Sequence, residues 1–394
     1  MGPIVLSRGL GSNVWDADDN RYVDLAAGFG AVALGHGAPF IERAISSQSG
    51  RLVQGLGDMY ASEPKVALLE RLVKLHPSQP ARAMLAATGA DAVTAALKTA
   101  RLFTGMPGII AFEGAYHGLS YGPLAACGFR GSYRAPFADQ LNPHVRFAPY
   151  PRAAADLAAS LAAVDAALVA GGVGAILVEP MLGRGGCIVP PEGFFAALVE
   201  RAHAHGALVI ADEIWTGMGR SGAMVLSARE AAADIVVLGK ALGGGLPISA
   251  CLLSDAVAQA WARDEEVVHT STHAGWPLAC AAATAVLDTI RFRKLDARAE
   301  DVGARFIASL NERLAAAPGF VAVRGRGLMV GVELSSGALG LRALRGWLAR
   351  GFVATTGGAG HEVLVATPPL TIDETLLDAA AVALREVLDG AAAS

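Results

Sequence analysis

Two residues in the segment Ala207–Pro247 stand where chemistry is possible. Asp212 ends the apolar run ALVIAD, and Lys240 ends the apolar run DIVVLGK, just before a glycine-rich turn. They are 28 residues apart (240 − 212), about one strand–crossover–strand unit, so both side chains are expected at the same edge of a parallel sheet. A lysine in so apolar a setting is held toward its neutral, nucleophilic form, because burial disfavours the ammonium. A nucleophilic amine beside a carboxylate suits pyridoxal 5'-phosphate (PLP), with the amine as Schiff-base partner and the carboxylate at the ring nitrogen.

Other short motifs fall after strand-like runs. MLAATGADAVTAALK reads as strand, small-residue turn and helix, and places Gly89 and Ala90 where helix-first-turn amides hold a phosphate. An ordinary βα turn has the same pattern. AFEGAYHG places Tyr116 and His117 after the next strand, where an aromatic ring can stack on a cofactor and the imidazole can flank it. AILVEP ends a strand with Glu179, whose carboxylate either points into a ligand crevice or caps a helix. Gly217–Gly222, GMGRSG, matches GxGxxG literally but is not read as a dinucleotide site. Its acidic residues precede the glycines and no helix opens after them. GKALGGG likewise has its glycines after the lysine, the reverse of a phosphate-binding P-loop.

These residues need a scaffold of alternating elements. Ala175–Val178, Ala207–Ala211 and Ile235–Leu238 are short apolar runs suited to buried parallel strands. Ala83–Ala87 and Ile109–Phe112 extend the set. Helices are expected over Glu63–Leu75, Asp91–Phe103, Ala153–Ala170 and Glu192–His205, the last stopped by Gly206. The expectation is an α/β fold whose large domain carries a mainly parallel sheet. At the ends, WDADDNRYVDLAAG reads as a hairpin, Arg324–Leu334 and Val363–Ala366 as strands, and Leu341–Arg350 and Thr375–Leu388 as helices. They are expected to form one small α+β domain from 1–48 and 290–394, with 49–289 as the large domain.

With 394 residues, 53% of them hydrophobic and 17% charged, the chain can bury a large core. Its net charge of −4, with no basic stripe, argues against nucleic-acid binding. Cys127, Cys187, Cys251 and Cys280 show no metal-type spacing, so neither a metal site nor a disulfide framework is expected. Apolar runs such as Ala166–Val178 are too short for a membrane span of about 20 residues. MGPIVLSRGLG lacks the apolar core of a signal peptide. A cytoplasmic location and no membrane partner are expected.

Taken in order, WDADDNRYVDLAAG, GHGAPFIERAI, TGADA, YHG, EP, DEIWTGMGRSG, GKALGGGLP, HTSTHAGWPLACAA, RGRGLMVGVEL and PPLTI resemble the class III aminotransferases, PLP enzymes of fold type I. The resemblance covers almost the whole chain and implies a seven-stranded sheet in the large domain. It further implies that Lys240 attaches PLP, Asp212 pairs with the ring nitrogen, and Ile214 and Tyr116 pack on the two ring faces. Gly89 and Ala90 would meet the phosphate, and Glu179 would join the network near Asp212. Thr272 would reach the phosphate of a neighbouring subunit, which makes a homodimer with shared sites. The activity implied is transfer of an amino group from an amine or ω-amino-acid donor to an oxo acid by a ping-pong route.

The departures are specific. The family's glutamine after DE[VI] is Trp215, so its hydrogen bond to the cofactor's phenolic oxygen is lost or supplied elsewhere. Arginines that bind substrate carboxylates in several relatives are replaced by Leu119 and Val365. A glutamate that pairs with such an arginine is replaced by Arg184, and the asparagine of GGNP by Trp276. Trp215 and Trp276 are expected to add apolar area to the substrate site, and Arg184 is the candidate anchor for the acceptor's carboxylate. A structural ion pair is the alternative role for Arg184. Aminomutase, racemase or decarboxylase chemistry, or a PLP-binding relative that has lost catalysis, are the alternative functions.

Overall fold

The computed structural model describes residues 4–57, 59–262 and 267–392. Its centre is a seven-stranded sheet in the order Ala81–Ala86, Ser249–Ser254, Ile235–Leu238, Leu208–Asp212, Val173–Val178, Gly108–Phe112, Val145–Ala148. Only Ser249–Ser254 runs against both its neighbours; the pairings from Ile235–Leu238 to Val145–Ala148 are parallel.

The continuous apolar runs follow from burial on both faces. Along successive strands, side chains alternate between two cores. Ile110, Phe112, Ile176, Val178, Val209, Ala211, Val236 and Leu238 join one core. Ile109, Ala111, Ala175, Leu177, Leu208, Ile210, Ile235 and Val237 join the other, under the helix Gly89–Thr104. That helix contributes Ala92, Val93, Ala96 and Ala100, small residues that bring it close to the sheet.

Expected and observed elements differ at informative places. The connection from Asp212 to Ile235 contains no α-helix, only turns and the short 3-10 segment Ser227–Arg229. Arg324–Leu334 is not one strand. It is two antiparallel strands, Phe320–Arg326 and Met329–Leu334, reversed at Gly327, whose φ of 55° suits a turn. The helix expected from Glu192 starts at Phe194, because Gly193 before it is left-handed. Gly206, also left-handed, follows its end. GMGRSG forms turns, with Met218, Gly219 and Gly222 at positive φ, and opens no helix.

Two smaller sheets draw on both chain ends. Asn13–Asp16 and Arg21–Asp24 form the expected hairpin, and Asp16 Oδ1 accepts from the amides of Asp18 and Asn20 in its turn. Phe352–Val353 pairs parallel with its second strand. The other sheet runs Phe320–Arg326, Met329–Leu334, Val363–Ala366, Thr355–Gly357. No helix among the described residues is long and apolar enough to cross a membrane.

Ile210, fully buried two residues before Asp212, tests how far the core supports this edge. Ile210→Ala is expected to cost about 2–5 kcal/mol of stability. Thermal denaturation against wild type at equal protein and cofactor concentration measures the loss.

Candidate active site

Five segments end at one edge of the large sheet. Glu179 follows Val173–Val178, Asp212 ends Leu208–Asp212, and Lys240 lies just past Ile235–Leu238. Glu113–His117 follows Gly108–Phe112, and Thr88–Ala90 follows Ala81–Ala86. This edge, at the carboxyl ends of parallel strands, is where open α/β sheets bind ligands. The expected juxtaposition of Asp212 and Lys240 is present, with Asp212 in register with Val237 on the adjoining strand.

Asp212 is buried, and its Oδ2 lies 2.7 Å from His117 Nδ1. An ionised carboxylate only accepts, so the imidazole proton sits on Nδ1. His117 Nε2 is buried without a partner. The histidine therefore holds and orients the Asp212 carboxylate. The Ile214 amide donates to Asp212 Oδ1 at 3.1 Å.

Lys240 has a left-handed backbone, φ 41°, a conformation costly for a non-glycine residue. Its Nζ lies 4.2 Å from the centre of the Trp215 ring. Burial pulls its pKa down to about 8, opposed by the charges of Asp212 and Glu179 and reinforced by Arg184. A sizeable neutral fraction is thus present near neutral pH.

Glu179 receives the amide of Tyr116 at Oε1, 2.7 Å, and that of Gly183 at Oε2, 2.8 Å. Burial raises its carboxyl to about 7, with His117 opposing and Asp212 adding to the rise. It ties two loops together and holds a titratable proton beside Asp212. Glu213, the next residue after Asp212, was given no role from sequence. It is fully buried and accepts from Thr216 Oγ1 and the amides of Leu226 and Ser227, so it pins the helix-free connection.

At the start of the helix Gly89–Thr104, Thr88 and Asp91 form a reciprocal cap, with Thr88 Oγ1 accepting from Asp91 N and Asp91 Oδ2 from Thr88 N. The amides of Gly89 and Ala90 belong to the helical turn that has no intrahelical acceptors. A Cβ at position 89 would sit 2.7 Å from Ile214 Cδ1, so glycine is what lets the Ile214 side chain reach this turn.

Trp215 is buried, and its Nε1 donor has no partner. Its ring meets Phe29 edge-on at 6.5 Å and packs with Met181, Met329, Val363 and Val365. Val365 is 1% exposed within this apolar cluster, whereas Leu119 is 49% exposed. Arg184 has no ion-pair partner among the described residues; its guanidinium carbon stands 5.4 Å from the Tyr116 ring centre. The structural ion pair offered for it from sequence is absent there.

Two residues lie apart from this cluster. Thr272 is in an exposed turn, where its carbonyl accepts from Gln54 Nε2 at 2.8 Å. Trp276 packs on the main core and meets His273 edge-on. Sequence reasoning missed Phe29, Phe129 and Arg130, which flank Trp215, Tyr116 and Arg184. No local motif marks them; only folding brings them there.

A family model for class III aminotransferases matches residues 1–388. The chain is 35% identical over 387 residues to an acetylornithine aminotransferase of Methanothermobacter thermautotrophicus, covering 98% of this chain and 94% of that protein. It is 38% identical over 391 residues to one from Mycolicibacterium smegmatis, covering 99% and 95%. Among solved structures, a PLP-bound amine transaminase from an uncultivated Pseudomonas species superposes with a TM-score of 0.92 at 28% identity, covering 98% of this chain and 95% of that one. Ornithine aminotransferase from Toxoplasma gondii gives 0.89 at 27%, covering 99% and 91%.

A mainly parallel sheet with a lysine and a buried carboxylate at one edge, superposing on a PLP-bound transaminase, is the architecture of a PLP enzyme of fold type I. The chain belongs to the class III aminotransferases, with PLP as its cofactor. The residues present fit that group: an amine with a lowered pKa, a buried carboxylate on the next strand, and helix-first-turn amides open to a phosphate.

Because only the neutral amine attacks an aldehyde, covalent uptake of PLP by the apo-protein is expected to quicken with pH and level off above about 8. Stopped-flow absorbance of the coloured adduct measures this. A midpoint above pH 10 would show a fully solvated amine.

Proposed function

We propose that the protein transfers an amino group from an amine or ω-amino acid to an oxo acid, by a ping-pong route through a site built on Lys240 and Asp212. The observation that carries this reading is the placement of the Lys240 amine and the buried Asp212 carboxylate at the ends of adjoining strands on one sheet edge. When bound, PLP supplies a conjugated ring that takes up the electron pair left as a proton departs from the substrate carbon.

Lys240 is the attachment residue in this reading, and its Nζ, once released, moves a proton as general base and acid. Asp212, oriented by His117, holds its carboxylate for the ring nitrogen, and Glu179 stabilises the loops around it. Ile214 and Tyr116 would flank the ring, and the amides of Gly89 and Ala90 would donate to the phosphate. Trp215 shapes the substrate side of the pocket, and its unpaired Nε1 is a donor available to the site.

A donor whose amino group is far from any carboxylate suits the apolar surroundings of Trp215 and Val365. The relatives named for acetylornithine and ornithine support a donor of that kind. Arg184 is the proposed anchor for the oxo-acid carboxylate. The working form is a cytoplasmic homodimer in which Thr272 completes the partner's phosphate site. Leu52, Val53, Leu56, Met59 and Tyr60 are exposed, and Gln54 joins that stretch to the Thr272 turn, which supports a second copy covering both. The proposed small domain comprises 1–48 and 290–394, around the large PLP-binding domain 49–289.

Lys240→Ala is expected to abolish borohydride-trappable PLP and amino transfer. Trapping at another lysine overturns the attachment residue, and release of ammonia without stoichiometric amination of an added oxo acid overturns the transferase reading.

The shared-site reading has a separate test. Thr272→Ala is expected to weaken PLP retention, and mixing it with Lys240→Ala subunits to restore activity at one site per dimer. A fully active monomer in sedimentation overturns the dimer.

A further inference from the structure

The charges around Phe129 lean one way. The guanidinium carbon of Arg184 lies 5.2 Å from the centre of its ring, and that of Arg130 lies 5.0 Å from the same centre. Neither arginine has a carboxylate within ion-pair distance among the described residues, and the Nε of each is buried without a partner. Arginines normally pair with carboxylates when drawn out of water, so two guanidinium groups without a carboxylate at one aromatic ring are an incomplete arrangement.

Arg130 has one side-chain partner, His361, with NH2 to Nε2 at 3.1 Å. His361 Nδ1 stands 2.9 Å from Thr356 Oγ1. Guanidinium only donates, so Nε2 is the acceptor in this contact. The turn carrying His361 is built for close approach. His361 itself is at φ 69°, and a Cβ on Gly337 or Gly340 of the adjoining helix would collide with the Gly360 or His361 carbonyl at 1.7 and 2.1 Å. The same turn holds the Arg184 loop, since the Gly358 amide donates to the Arg184 carbonyl at 2.9 Å.

The acids nearby are already engaged. Glu362 accepts from the Gly360 amide in its own turn, and Glu333 pairs with Arg324. Glu179 takes the amides of Tyr116 and Gly183. The cluster borders the reacting region, because Arg184 lies over Tyr116 and its charge helps hold down the Lys240 pKa.

We propose that Arg184 and Arg130, with Phe129 between them and His361 bracing Arg130, form a two-arginine anion site that receives a carboxylate remote from the reacting carbon, so that the oxo acid this enzyme prefers is a dicarboxylate. Planar, bidentate recognition of carboxylate is what guanidinium forks do best. The choice of an oxo acid rests on the aminotransferase reading; the anion site itself rests on the geometry.

The test uses the PLP-loaded enzyme and two non-reacting probes, glutarate and propionate, titrated by calorimetry. Wild type is expected to bind glutarate at least about 10-fold more tightly than propionate, and Arg130→Gln and Arg184→Gln each to remove that preference. In the second half-reaction each variant is expected to lower the ratio of kcat/KM for 2-oxoglutarate over pyruvate by about 10- to 100-fold, a ratio in which any general loss of turnover cancels. Arg130→Lys, which keeps the charge but not the fork, is expected to fall between. An unchanged glutarate preference and acceptor ratio in both glutamine variants overturns the site. If wild type transfers no amino group to either oxo acid, yet the glutarate preference and its loss are seen, the anion site stands and the transferase reading falls.

Discussion

The amine of Lys240 must lose water without losing its place at the sheet edge, and much of the surrounding structure serves that requirement. Burial lowers its pKa to about 8, while Asp212 and Glu179 pull it back up. With the two carboxylates alone, the ammonium would be favoured. Arg184 opposes them electrostatically, while the Trp215 face, 4.2 Å from Nζ, favours the ammonium. The balance leaves a group that is charged or neutral according to small changes nearby, which is what the cofactor attachment and proton transfer proposed for it require.

That balance needs fixed loops, and two buried glutamates fix them. Glu179 gathers the amides of Tyr116 and Gly183, joining the segments that carry Tyr116 and Arg184. Glu213 gathers two amides and a hydroxyl from the connection that replaces a crossover helix. Each buried carboxylate is stabilised by backbone dipoles rather than by a cation, so the local cations stay free of acid partners. The left-handed backbone of Lys240 belongs to the same design, because packing of Ile214 against Gly89 and Gly239 constrains the neighbouring turn.

The sheet was legible because its strands are buried on both faces, which leaves continuous apolar runs that end at Glu179, Asp212 and Lys240. Strand-end chemistry was therefore visible as spacing. The helix-free connection after Asp212 was legible only in the poor helix start after GMGRSG, since a distance of 28 residues fits a helical crossover equally well. The reversal at Gly327 was hidden within an apolar stretch that has the composition of one strand. Arg130 and His361 were invisible because they are 231 residues apart in sequence and nothing local marks either. The role of His117 behind Asp212 depends on a ring orientation that spacing does not encode.

The replaced residues act together rather than singly. Val365 is not an empty place for a missing arginine; it is sealed beneath Trp215 with Met181, Met329 and Val363. An arginine there would have to bury its guanidinium in an apolar cluster with no partner, at a cost of several kcal/mol. Trp215 and Val365 thus make one apolar surface on the Lys240 side. The positive charge lies instead with Arg184 and Arg130 around Phe129, on the Tyr116 side. Changing Val365 alone to arginine would not restore a carboxylate site, because the new guanidinium would start inside that apolar cluster. The pocket has exchanged one distribution of charge for another, and its residues fit each other before they fit any substrate.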